Sequence, residues 1–164
     1  MKPLALVLGV VVLAGGPALA QDVGQGIALY KEGRYAEAEP VLRAAVEVTE
    51  ARAYLAASLV RLGRHAEAEA EAKAALAADP VQPVAVAAVG EALVMQERLD
   101  EAIARMSAAL AAKNDLAYAY YWRGQAHQRN KQVARMADDY QAFLRLQPEA
   151  PEAPALKVLL GSLQ

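Results

Sequence analysis

The chain has 164 residues with 17 basic and 19 acidic side chains and no cysteine, which removes disulfides, thiolate catalysis and cysteine-bound metals together. A formal charge of −2 leaves no basic concentration able to release phosphate counterions, so DNA and RNA are excluded as natural partners. Forty alanines and few β-branched runs point to an all-α chain, although alanine buries little apolar area per residue and the 56% hydrophobic content overstates the core.

The first segment, MKPLALVLGVVVLAGGPALA, places Lys2 before an apolar run from Leu4 to Leu13, then Gly15-Gly16-Pro17 and Ala18-Leu19-Ala20. That is the layout of a secretory signal peptide cleaved after Ala20, and it predicts export to the periplasm. The alternative is an uncleaved anchor. Pro3 to Ala20 is uncharged and at the short limit for a membrane span, but Gly-Gly-Pro breaks its second half. No cysteine follows, so a lipid-anchored variant is excluded. Cleavage leaves residues 21–164 with 16 basic and 19 acidic side chains, a charge of −3, and enough chain to fold by packing alone. Asp22 and Gln25 then read as an N-cap with its reciprocal partner three residues on, starting the first helix beside the cleavage point.

Beyond that point the chain repeats itself. KEGRYAEAEPVLRAAV at 31–46 is echoed by RLGRHAEAEAEAKAAL at 61–76 and, loosely, by MQERLDEAIARMSAAL at 95–110 and RNKQVARMADDYQAFL at 129–144. The last three copies start 34 residues apart, and a fixed period of this length marks a stacked repeat protein. Each unit reads as two helices, the first ending near a Gly or a charged pair and the second starting at the AEAE-like stretch. Gly26, Ala56 and Gly90 share a slot on the first helix, and glycine there implies a close helix crossing. Leu29, Leu59 and Leu93 supply larger filler; Ala38, Ala68 and Ala102 recur on the second helix, followed seven residues on by Ala45, Ala75 and Ala109.

GRYAEA, GRHAEA and RLDEA, with unit ends at Asp79-Pro80 and Gln147-Pro148, resemble the tetratricopeptide repeat (TPR) family over about residues 21–148. The resemblance implies an all-α, right-handed solenoid of antiparallel helix pairs. Its four units would lie at about 21–48, 49–82, 83–116 and 117–150, with a capping helix at about 151–163. The first unit is four residues short, close to one helical turn, and ends in a tight turn before Thr49. Pro40 is expected near a helix start, where a missing N–H is tolerated. The fourth unit carries Met136 and Phe143 in alanine slots and Arg123 and His127 in apolar ones, so its helices must pack differently. In the capping helix, Val158, Leu159, Leu160 and Leu163 are the expected buried face.

No phosphate loop, nucleophile elbow or metal-binding motif occurs, and no catalytic, cofactor or metal residue is assigned. His65 reads as a half-buried turn residue and His127 as lying on an open face. Glu69 and the pairs Asp100-Glu101 and Asp138-Asp139 read as solvated charge. The absence of catalytic motifs argues against an enzyme; the resemblance implies a protein-binding scaffold with a concave groove built from the first helices. Carried onto this chain, that groove is Val23, Ile27, Tyr30 and Lys31, then Ala53, Ala57, Val60 and Arg61, then Ala87, Glu91, Val94 and Met95, then Tyr118, Tyr121, Gln125, Gln128 and Arg129. The paired lysines and asparagines of family members that clamp a C-terminal carboxylate are missing, and an apolar groove suits an amphipathic helix or extended peptide. Six of the nine aromatic residues fall between 118 and 143. Tyr120, Tyr140 and Phe143 match core slots, whereas Tyr118 and Tyr121 fall on the groove side. The expected role is an adaptor in an envelope complex; a small-ligand or lipid-tail carrier and a self-assembling module are the alternatives.

Overall fold

A computed structural model describes residues 16–163, and among these the chain forms nine helices and no strand. They are α1 (Gly16–Lys31), α2 (Tyr35–Ala44), α3 (Thr49–Arg61), α4 (His65–Ala78), α5 (Pro83–Met95), α6 (Leu99–Ala112), α7 (Ala117–Arg129), α8 (Val133–Leu146) and α9 (Ala153–Gly161). Each odd-numbered helix from α1 to α7 packs on the even-numbered helix that follows it, and α1, α3, α5 and α7 also pack in succession on one another. The even-numbered helices do not pack on one another. The odd row is therefore the tighter one and lies inside the curve of the stack. This is the all-α repeat solenoid expected from the sequence.

The helix ends explain why so different a set of sequences repeats one shape. The N–H groups of Gly33, Gly63, Glu97 and Lys131 donate to the carbonyls three residues back, and the N–H of the next residue donates to the carbonyl five back. That doubly bonded ending requires a left-handed residue, and the four φ values are 77°, 76°, 58° and 57°. Glycine adopts this conformation freely, whereas Glu97 and Lys131 do so at a cost of about 1 kcal/mol. The following residue is the N-cap of the even-numbered helix. Arg34, Arg64 and Arg98 each hold the glutamate three positions on (Glu37, Glu67, Glu101), which puts an acid in the first turn, where the helix dipole favours it.

Between paired helices the crossing volume is shared in opposite ways. A Cβ on Gly26 would meet Leu42 at 2.6 Å, one on Gly90 would meet Met106 and Trp122 at 2.9 Å, and one on Gly124 would meet Tyr140 at 2.7 Å. In the second repeat the corresponding pair is Ala56 with Ala72, both fully buried. Glycine opposite a large side chain and alanine opposite alanine fill the same gap. Leu55, Leu59 and Leu93 are also fully buried, and each contributes about 2 kcal/mol by area.

At the two ends the structure corrects the sequence reading. Helix α1 begins at Gly16, so Asp22 lies inside a helix and caps nothing. Pro17 is favoured in a first turn, and alanine and leucine carry the helix onward. Residues 1–15, most of the segment expected to be a signal peptide, lie outside the described residues. Helix α2 has 10 residues against 14 in α4, α6 and α8, which accounts for the four-residue deficit. Pro40 is its sixth residue, past the first turn, and so removes the hydrogen bond to the Ala36 carbonyl. In α9 the inward stripe is Ala153 and Leu156, with Leu159 and Leu160 half-buried. Val158 is 75% exposed and Leu163 46% exposed, contrary to the expected buried face. Val158 stands two residues from Leu156, about 200° around the helix, and Leu163 lies beyond its end.

A candidate binding hollow on the inner helix row

The inner row carries a hollow of about 340 Å³. Its middle is built from small side chains, Ala57 on α3 and Ala87 and Ala88 on α5. Aromatic residues stand at both sides of it: Tyr30 on α1 and Tyr54 on α3, and Tyr118, Tyr121 and Trp122 on α7. The rings brace each other edge to face, Tyr30 on Tyr54 at 5.2 Å, Tyr118 on Tyr121 at 6.0 Å and Tyr121 on Trp122 at 4.9 Å. Arg61, Glu91 and Glu152 add three charges to the lining, and Pro83 and Val84 complete it.

These charges are not equivalent. Arg61 Nη1 donates to Glu91 Oε1 at 2.8 Å, and the positive guanidinium opposes the rise of the Tyr30 hydroxyl. Burial pushes the Glu91 carboxyl above its ordinary value; Arg61 opposes that shift and Glu152 adds to it. Burial likewise raises the Tyr30 and Tyr121 hydroxyls. Tyr118 is pushed up to about 12, by burial first and then by Glu152, whose carboxylate accepts its hydroxyl at 3.3 Å.

Of the residues assigned to the groove from the sequence, the hollow unites Tyr30, Ala57, Arg61, Ala87, Glu91, Tyr118 and Tyr121. Gln125 donates to the Tyr121 hydroxyl at its edge. Val23, Ala53, Val60 and Val94 are buried in the core between neighbouring helices, because the inner row is packed too closely to expose them. Ile27 packs half-buried on that core, while Lys31 and Met95 are exposed beyond the hollow. Gln128 accepts the Tyr140 hydroxyl, and Arg129 reaches the Val94 carbonyl and Glu97. Tyr54, Trp122 and Glu152 were not assigned. Tyr54 lies one position past Ala53, and Glu152 belongs to no repeat.

Other expectations for polar residues are corrected. His127 is 5% exposed rather than open, and its Nδ1 shares a 2.6 Å hydrogen bond with Gln132. Asp139 is 4% exposed rather than solvated, and is held by Arg123 through Nη2 at 2.6 Å and Nε at 2.9 Å. Two polar residues in apolar slots of α7 thus require a buried acid on α8. Glu69 is also buried, gripped by Lys73, Arg98 and Gln96. His65 opens α4 half-buried, its Nδ1 enclosed and without a partner. Tyr140 and Phe143 are fully buried, and Tyr120 is half-buried under the Arg123 guanidinium at 5.6 Å. Among the described residues no cluster of histidine and acidic side chains is placed to hold a metal. No helix among them is long and apolar enough to cross a membrane.

Two family models match the chain, one described as the tetratricopeptide repeat over residues 23–83 and one as the TPR repeat over 90–131. Solved structures of the same fold include a thermophilic TPR protein of Thermus thermophilus, at 22% identity over 88% of this chain and 82% of that one, with a TM-score of 0.78. Pseudomonas aeruginosa pilF matches at 23% identity over 89% and 69%, with a TM-score of 0.73. MamA of Desulfovibrio magneticus RS-1 matches at 21% identity over 89% and 87%, with a TM-score of 0.65. At these identities the likeness is one of fold. No functionally curated protein matches the chain in sequence.

Proposed function

The chain belongs to the tetratricopeptide repeat family, whose fold generally serves as a protein–protein interaction scaffold, and from that premise we propose that it is an exported adaptor of the cell envelope. In this reading a partner peptide or helix lies along the inner row and is anchored in the aromatic hollow. The observation that carries it is the gathering of Tyr30, Tyr54, Tyr118, Tyr121 and Trp122 around one half-open hollow, since tyrosine and tryptophan dominate interface anchors. Export is supported by the basic start, apolar run and Ala18-Leu19-Ala20 of the leader. Cleavage after Ala20 would leave α1 from Gln21 to Lys31, a stretch including Val23, Gly26, Ile27, Leu29 and Tyr30, which meet the rest of the stack.

A photo-crosslinking residue at Tyr121 in the native envelope tests the adaptor role, with a control at Ala70, exposed on the outer helix α4. One dominant foreign product at Tyr121 and none at Ala70 is expected. A product containing only the chain itself would favour the self-assembling module, and no product at Tyr121 would remove the groove from consideration. Mass spectrometry of the periplasmic fraction should find a chain beginning at Gln21. A lipid-tail carrier is the weaker reading, because Arg61, Glu91 and Glu152 would all face the hydrocarbon.

A further inference from the structure

The hollow is electrically unbalanced. Two carboxylates, Glu91 and Glu152, share its lining with one guanidinium, Arg61, so it carries one net negative charge. Arg61 is committed to Glu91. Glu152 accepts only the Tyr118 hydroxyl, at 3.3 and 3.5 Å, and has no cationic partner among the described residues. The π faces of Tyr118, Tyr121 and Trp122 beside it add further negative potential without adding a charge that water must solvate.

We propose that the hollow seats a lysine or arginine side chain of an extended partner peptide, with the cation at Glu152 and its alkyl stem along the rings of Tyr121 and Trp122. This rests on the reading of the inner row as a peptide groove and specifies the anchor. An arriving cation gives Glu152 the partner it lacks, gains cation–π attraction in a partly desolvated site, and covers apolar ring surface with its stem. An acidic anchor would have to break the Arg61–Glu91 pair and would sit beside Glu152. A purely apolar anchor would leave Glu152 covered and unpaired.

Trp122 is the one tryptophan in the sequence and lines the hollow, so its emission reports occupancy directly. The full chain is titrated with acetyl-Leu-Ala-Lys-Ala-Leu-amide and with the same peptide carrying arginine, glutamate or norleucine at the central position. The lysine and arginine peptides should shift Trp122 emission saturably and bind about five-fold more tightly than the norleucine peptide, with a preference that weakens in high salt. Glu152→Gln should erase that preference and Glu152→Asp should keep it. Equal or tighter binding of the norleucine or glutamate peptide overturns the proposal, as does the absence of any shift at millimolar peptide. Butylammonium alone binding as tightly as the lysine peptide overturns the peptide source. If Tyr121 still crosslinks its partner at full yield in Glu152→Gln, the cationic anchor fails while the adaptor function stands; loss of the Tyr121 product in the unsubstituted chain would instead sink the function itself.

Discussion

The second and fourth repeats share a backbone and have opposite interiors. In the second, Leu55 and Leu59 face an outer helix lined by Ala68, Ala72 and Ala75, all fully buried or nearly so. In the fourth, the same slots hold Arg123 and His127 on one helix and Met136, Tyr140 and Phe143 on the other. The charge brought in by Arg123 is neutralised by Asp139, and the bulk of Tyr140 is accommodated by Gly124. A unit of this kind is specified by the volume shared at its crossing and by its helix ends, and different chemistries satisfy both. The hollow lies outside both interiors: Ala57, Ala87 and Ala88 leave its space, and Tyr30 and Tyr54 on one side and Tyr118, Tyr121 and Trp122 on the other wall it.

The comparison can be broken by substitution. Phe143→Ala should be the most damaging change, costing about 3–5 kcal/mol in denaturant unfolding, with hydrogen exchange rising first in α7–α9, since neighbouring repeats carry each other's stability. Arg123→Ala should cost about 3 kcal/mol by leaving Asp139 buried without its partner, and the pair Arg123→Leu with Asp139→Leu should recover most of that loss. If the double variant is as unstable as the single, the ion pair does more than neutralise a buried charge. Ala72→Leu alone should cost about 1–3 kcal/mol by overpacking, while Ala56→Gly with Ala72→Leu should be better tolerated, because it copies the Gly26–Leu42 arrangement.

Two carboxyls sharpen the contrast between outer and inner surfaces through pH. For Glu69, burial alone would raise the carboxyl, but hydrogen bonds from Lys73, Arg98 and Gln96 outweigh it and hold the group below its ordinary value. Its stabilising contribution is present above the unfolded carboxyl pKa of about 4.3 and is lost as pH falls through the lower folded value. Glu91 is shifted the other way by burial, so its ionised form burdens the fold at neutral pH and the burden lifts in acid. At pH 7, Glu69→Gln should lower the denaturant midpoint and Glu91→Gln should raise it, and both differences should fade in acid. The smallest expected effect is at Lys131, whose left-handed backbone makes Lys131→Gly stabilising by about 0.5–1 kcal/mol, readable as a small rise in Tm.

Much of the fold was legible in the residues themselves. The 34-residue period set the helix pairs, and glycine at Gly26 and Gly90 announced close crossings that the structure places on Leu42 and Met106. The buried charges were not legible one residue at a time, because Asp139 meets Arg123 and Glu69 meets Arg98 across different helices. For Glu69 the signal lies between repeats. Glu39 pairs with Arg64 and Glu69 with Arg98, and where the next acid slot becomes Ile103 the matching arginine becomes Gln132. The inner surface was half legible. Tyr30, Arg61, Glu91 and Tyr121 follow from the helix faces, but Glu152 stands after the last repeat, where periodicity has no prediction to make. Val60 and Val94 were misplaced because the spacing between repeats, which decides whether a groove position is open, is a property of the stack.

The position of Glu152 at the start of α9 ties occupancy of the hollow to the seating of that helix. Helix α9 approaches α8 through few residues and reaches α7 only through side chains such as Leu156 and the Tyr118–Glu152 contact, so it is the helix with least to hold it. Any guest that grips Glu152 is therefore linked thermodynamically to the seating of α9: a filled hollow holds α9 in place, and a loosened α9 weakens the grip on the guest by the same free energy.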